Sequence, residues 1–126
     1  MTIKEVSEKY DLTPDTLRYY ERVGLIKNVP RSPSGIRNYD EESCKRIEFI
    51  KCFRSAGIEI EMLLEYFDLL AQGKKTVSAR KELLVEQKEK LLIKKLNIDE
   101  TLKKLENKIS LYEEIEQGKR EDFSDK

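Results

Sequence analysis

From Thr76 to Gln117 the chain contains neither proline nor glycine. A helix drawn over that stretch spans about 60 Å at 1.5 Å per residue, far more than the width of any domain that the preceding residues could build. Its apolar stripe therefore finds no cover within its own subunit. The stripe is present: Leu84, Leu91, Ile98, Leu105 and Tyr112 recur every seven residues, joined by Leu102 and Ile109 on the intervening positions. This spacing describes a coiled-coil seam, and the chain is expected to dimerise through it. Lys88 and Lys95 stand where further apolar residues would be expected, so the first half of the seam is weaker or wetter. Leu83, Leu92 and Leu96 widen the stripe. A solvated single helix is the competing reading.

Ahead of this arm the chain punctuates itself into short pieces. Thr2 and Glu5 have the spacing of a capping box, and Ile3, Val6 and Tyr10 share one face of a short helix. Only Asp11 and Leu12 separate it from a second helix start, where Thr13 caps and Pro14 suits the first helical position. Two short helices joined so tightly make a helix-turn-helix, whose second helix enters the major groove. On that second helix Leu17 points inward, while Thr16, Arg18, Tyr19, Tyr20 and Arg22 crowd the remaining faces. Adjacent tyrosines cannot both be buried on one narrow stripe, so at least one offers its hydroxyl to a partner. Arginine beside tyrosine suits phosphate and base-edge contacts to DNA; an ordinary amphipathic surface helix is the alternative. Gly24 is available as a left-handed stop.

Residues 27–39 read as a small β-wing, with Pro30, Pro33, Ser34 and Gly35 marking its turn. Between residues 17 and 39 lie five basic side chains (Arg18, Arg22, Lys27, Arg31, Arg37) and one acid, Glu21. The whole chain balances 25 basic against 25 acidic residues, so the local excess is the footprint expected for a polyanion partner.

The run Thr16-Leu17-Arg18-Tyr19-Tyr20-Glu21-Arg22-Val23-Gly24-Leu25-Ile26, followed by Gly35-Ile36-Arg37-Asn38-Tyr39, resembles the DNA-binding head of MerR-type transcription regulators. The resemblance covers most of residues 1–72 and implies a mostly α fold: a winged helix-turn-helix head, then a long dimerisation helix over residues 76–117 paired as an antiparallel coiled coil. It also implies a homodimer on a pseudo-palindromic double-stranded promoter. Such regulators distort an over-long promoter spacer so that RNA polymerase engages both promoter elements. Carried onto this sequence, Arg18, Tyr19 and Tyr20 become recognition-helix contacts, with Thr13, Thr16 and Arg22 beside them. Arg37 and Tyr39 become wing contacts to the DNA backbone.

Asp40-Glu41-Glu42 opens a third helix with acids at the positive end of its dipole. Phe49, Ile50, Phe53 and Ala56 share its broad apolar face, and Met62, Leu63, Tyr66, Phe67 and Leu70 keep helical spacing on a fourth helix from Glu59 to Ala71. These two helices are expected to supply most of the core, and residues 118–126 a disordered tail. With 126 residues there is room for one head and one arm. No signal peptide or membrane-crossing run is visible, so a cytosolic protein is expected. The sequence has no histidine, and no nucleotide loop or hydrolytic triad appears, so neither an enzyme nor a cofactor is expected.

Cys44 and Cys52 lie eight residues apart on the third helix, about 12 Å along its axis. That separation excludes an intrachain disulfide, and no two-cysteine metal site is expected there. Cys52 falls at the margin of the apolar face, Cys44 on the opposite flank near Glu48 and Lys51. Buried free cysteine is the bland reading for both. The string Phe49-Ile50-Lys51-Cys52-Phe53-Arg54-Ser55-Ala56-Gly57 resembles the NmlR/AdhR branch of the MerR family. That resemblance implies thiol chemistry at Cys52 in response to aldehydes and related electrophiles, and leaves Cys44 structural. Two further readings stay open: a regulator that binds an uncharged small ligand non-covalently, and a coiled-coil adaptor that binds no DNA.

Overall fold

The computed structural model describes residues 1–122. Its helices are α1 (Ile3–Tyr10), α2 (Pro14–Arg22), α3 (Glu41–Ser55), α4 (Ile60–Ala71) and α5 (Val77–Glu116), with a 3-10 turn at Lys74–Thr76. Residues Met1–Val85 form one compact unit, and a second begins at Glu86.

Local chemistry sets the helix starts. Thr2 accepts from the Glu5 N–H while Glu5 reaches back to the Thr2 N–H, closing the capping box on α1. Thr13 Oγ1 accepts from the Thr16 N–H at 3.1 Å, and Asp40 Oδ1 accepts from the Ser43 N–H at 2.8 Å. Asp11, in the left-handed region at φ 52°, turns the chain from α1 into α2. Gly24, at φ +85°, ends the segment after α2; a Cβ there would be strained by the backbone and would meet Lys27 Cε at 3.4 Å.

The core differs from the sequence expectation. It is drawn from the front of the chain as much as from α3 and α4: Val6, Leu17, Leu25, Ile26, Tyr39, Ile47, Ile50 and Leu63 are essentially inaccessible. α3 buries Ser43, Cys44, Ile47 and Ile50. Phe49 and Phe53 are only half-buried and Ala56 is exposed. The reason is that α3 has two neighbours. One flank packs on α1, and another carries Phe49 into a ring cluster with Phe53 (centroids 4.3 Å), Tyr66 (5.4 Å) and Phe67 (5.6 Å). Arg46 lies over the Phe67 ring at 4.3 Å.

The corner between α4 and α5 is fixed by buried Thr76. Its hydroxyl lies 2.6 Å from the Leu69 carbonyl oxygen and 2.8 Å from that of Gly73. Arg80 donates to Thr76 Oγ1 at 3.1 Å and to the Gly73 carbonyl at 3.2 Å. α5 then runs for 40 residues without a buried side chain. Ile98, Leu102, Leu105, Ile109 and Tyr112 of the expected seam are each about half exposed in the single chain, whereas Leu84 and Leu91 are half-buried. Gly118 and Lys119 donate to the Ile115 and Glu114 carbonyls and close the helix end. Of the tail expected to be disordered, residues 123–126 lie outside the described residues.

Candidate nucleic-acid interface

α2 presents its inward face through Leu17 and Tyr20 and its outward face through Arg18, Tyr19 and Arg22. The two tyrosines divide as crowding requires. Tyr19 is 37% exposed and Tyr20 only 6%, with ring centroids 6.1 Å apart. Tyr20 was expected on the outward face; its ring instead packs in the core. Arg22 stacks its guanidinium over the Tyr19 ring at 5.3 Å, which braces two of the outward side chains against one another. Arg18 pairs with Asp15 at 3.0 Å one turn away, both well exposed. Such a surface pair holds Arg18 only loosely, leaving it available to another anion. Thr13 and Thr16 share a hydroxyl contact at 2.8 Å beside the cap.

The wing is tighter and shorter than the extended flanks expected. No strand forms among the described residues; a single antiparallel bridge joins Arg31 to Arg37. The Ser32 N–H donates to the Ile36 carbonyl at 2.7 Å and the Gly35 N–H to that of Ser32 at 2.8 Å, closing the turn. At the wing's base Tyr39 is 2% exposed and its hydroxyl finds no hydrogen-bond partner among the described residues. It too was expected to meet DNA, and its ring instead fills the core. Burial first, then the nearby Glu21 carboxylate, push this phenol above its ordinary value. Tyr39 also pairs through its main chain with Met1, its N–H donating to the Met1 carbonyl at 2.7 Å.

Arg37 is half-buried and committed. Its Nε donates to Glu21 Oε2 at 2.6 Å, and Arg31 Nη2 donates to Glu21 Oε1 at 3.2 Å. Counting charges along the sequence registered Glu21 only as one acid among five bases and left Arg31 out of the site. The signal that could have found the cluster is the turn at Ser32–Gly35, which sets Arg31 opposite Arg37.

The cysteines separate cleanly. Cys52 is exposed, whereas Cys44 is buried with its Sγ 4.0 Å from Met1 Sδ. The wheel had set Cys44 among charged neighbours; contact with α1 and Met1 encloses it instead. Among the described residues no three Cys, Asp or Glu side chains gather as a metal site, and no helix is long and apolar enough to cross a membrane.

A capped helix-turn-helix with an outward cationic helix and a basic wing defines a nucleic-acid-binding regulator head. Residues 1–70 match the model of the MerR HTH family of regulatory proteins, and the chain belongs to that family, whose members are transcription regulators and not enzymes. It is 54% identical over 92 residues to the HTH-type transcriptional regulator AdhR of Bacillus subtilis, a match covering 73% of this chain and 66% of that relative. A Listeria monocytogenes structure assigned to MerR family transcriptional regulators superposes with a TM-score of 0.84 at 41% identity, over 90% of this chain and 86% of the other. HiNmlR, a MerR family regulator lacking the sensor domain and solved bound to promoter DNA, shares the fold with a TM-score of 0.84 at 22% identity, covering 92% of each chain. Together these likenesses extend along the long C-terminal helix as well as the head.

Proposed function

We propose that this chain acts as a homodimer on a pseudo-palindromic promoter, changes the DNA between the promoter elements, and answers electrophiles through Cys52. The observation that carries the DNA reading is the outward face of α2, where Arg18, Tyr19 and Arg22 stand free of the core beside the wing. Thr13 and Thr16 lie at the same helix N-terminus, where an added phosphate is favoured by the helix dipole. The half-buried Arg37 and the buried rings of Tyr20 and Tyr39 set the shape of this surface from beneath.

Dimerisation through Leu84, Leu91, Ile98, Leu102, Leu105, Ile109 and Tyr112 is supported by the exposure of the last five along a helix with no buried residue of its own, Leu84 and Leu91 being half-buried. Two heads at a fixed spacing would read two half-sites, and spacing sets the register on the duplex. Polymerase then gains by the altered spacer geometry, with no contact to this chain required. Similarity to AdhR, together with the exposure of Cys52, supports covalent sensing. A non-covalent uncharged inducer is the weaker alternative. The head's cavity of about 530 Å³ beside α3 and α4 mixes Lys27, Glu42, Arg46 and Asp68 with Leu64 and Phe67, so its lining by itself favours neither a charged nor an uncharged molecule.

One reporter experiment tests both halves of this reading, with promoter binding followed in parallel by gel shift. Arg18→Ala should weaken promoter binding by about 1–3 kcal/mol if the guanidinium is bidentate to a base, and should lower expression. Cys52→Ala should bind normally but fail to induce with formaldehyde or methylglyoxal, whereas Cys44→Ala should induce. Full induction by the Cys52 variant would move the sensor elsewhere, and unchanged binding by the Arg18 variant would remove the proposed interface.

A further inference from the structure

Glu21 is the only acid between residues 17 and 39, and it sits where its charge matters most. In an antiparallel bridge the two facing residues project to the same side of the ribbon. The Arg31–Arg37 bridge therefore brings both guanidinium groups out together, toward the last turn of α2. There the two oxygens of one carboxylate receive them, Oε2 from Arg37 at 2.6 Å and Oε1 from Arg31 at 3.2 Å. The Glu21 and Arg37 side chains are only 23% and 26% exposed, so water screens their contact less than it would a surface pair. Arg31 Nη1 also holds the Gly35 carbonyl at 3.2 Å, which ties the wing's turn into the same cluster. By contrast, Arg18 on the outer face of α2 pairs with the exposed Asp15, and Arg22 lies over the Tyr19 ring.

Resting on the reading of α2 and the wing as the DNA surface, we infer that Glu21 is a specificity-determining residue that masks the wing arginines from arbitrary DNA. Phosphate contacts are the sequence-independent part of binding, and they dominate the affinity for non-cognate duplex. Glu21 lowers the charge of the Arg31–Arg37 pair from two to one, and a phosphate must displace a carboxylate already in place to gain either arginine. Random duplex offers phosphate alone and cannot offset that exchange. At a cognate site the base contacts of α2 fix the register first, and phosphates held against the wing then complete it. The mask thus suppresses the non-specific term more than the specific one.

The test uses the full chain, a duplex carrying its footprinted promoter site, and a random duplex of equal length, with binding followed by fluorescence anisotropy across a salt series. Glu21→Gln keeps the shape and removes the charge. Its affinity for the random duplex should rise about tenfold at low salt, and the salt dependence should steepen by about 0.9 for each arginine released. The ratio of promoter to random affinity should fall about tenfold. A second variant, Arg31→Gln with Arg37→Gln and Glu21 intact, guards against a wing that fails to form. It should lose about tenfold on the promoter duplex and change by less than about twofold on the random one, because masked arginines contribute little there. Equal losses on both duplexes, or a Glu21→Gln salt slope that matches the wild type, would overturn the mask while leaving the DNA reading intact. A wild-type chain that binds neither duplex would overturn both.

Discussion

The head and the arm of this chain use the same apolar residue types to opposite ends. In the head, Leu17, Ile47, Ile50 and Leu63 are sealed from water within helices of 9 to 15 residues. In the arm, Ile98, Leu105 and Ile109 remain 53–58% exposed on a helix of 40 residues. Hydrophobicity does not distinguish the two sets; chain reversal does. Short capped helices turn back on one another and cover their own stripes. An uninterrupted helix cannot turn back on itself, and α5 buries none of its own side chains. The head is thus expected to be stable by itself, and the arm's stability is expected to depend on protein concentration.

The strongest way to break this comparison is to charge the arm. Ile98→Lys, next in line to a seam already interrupted at Lys88 and Lys95, should convert dimer to monomer in sedimentation at micromolar concentration, because a lysine there must be desolvated without a partner. The tyrosine near-UV signal should stay native, since five of the six tyrosines belong to residues 1–66. A surviving dimer would mean that the pairing surface lies elsewhere on the chain.

The converse change comes next in size. Leu17→Ala removes a side chain with no exposed surface and should destabilise the head by about 2–5 kcal/mol. The same substitution at Leu105, half exposed in the single chain, should leave the head's transition in place and weaken only association. If Leu17→Ala and Leu105→Ala shift one common unfolding transition equally, head and arm form one cooperative unit and the contrast fails.

What could be read from the sequence follows the same division between local and distant causes. The caps at Thr2, Thr13 and Asp40 involve residues three apart, so propensity and spacing identify them before any packing is known. The long helix of the arm was equally legible, because an uninterrupted run without proline or glycine needs no tertiary knowledge. The pairings that escaped join distant residues: Glu21 to Arg37 across 16 positions and Cys44 to Met1 across 43. A helical wheel assumes one buried face per helix, and α3, which packs both on α1 and through the Phe49 rings, breaks that assumption. Tyr20 and Tyr39 hid their burial for a related reason: a polar-tipped ring in a basic segment looks exposed until the core around it is seen.

The smallest expected effect concerns how the head's helices begin, and it gives the comparison a pH signature. The Ser43 N–H bonded to Asp40, followed by the Ser43 side chain, lowers the Asp40 carboxyl from its ordinary 3.8. A carboxyl lowered on folding adds stability that is fully present above its unfolded value and is lost as pH falls through the folded one. The loss therefore begins within the ordinary carboxylate range, continues below it, and affects α3 of the head. Asn at this position can accept the same N–H through its amide oxygen but cannot titrate. Asp40→Asn should then match the wild type closely at neutral pH, apart from a slight loss of dipole attraction. As pH falls through the ordinary carboxylate range and below it, its thermal midpoint, followed by near-UV tyrosine dichroism, should fall less than that of the wild type. Other carboxylates titrate in both proteins, so the difference between the two curves is the informative quantity. Parallel curves would mean that the acid sensitivity of the head arises outside this cap. Glu5, lowered by its bond from the Thr2 N–H, would be the next carboxylate to neutralise.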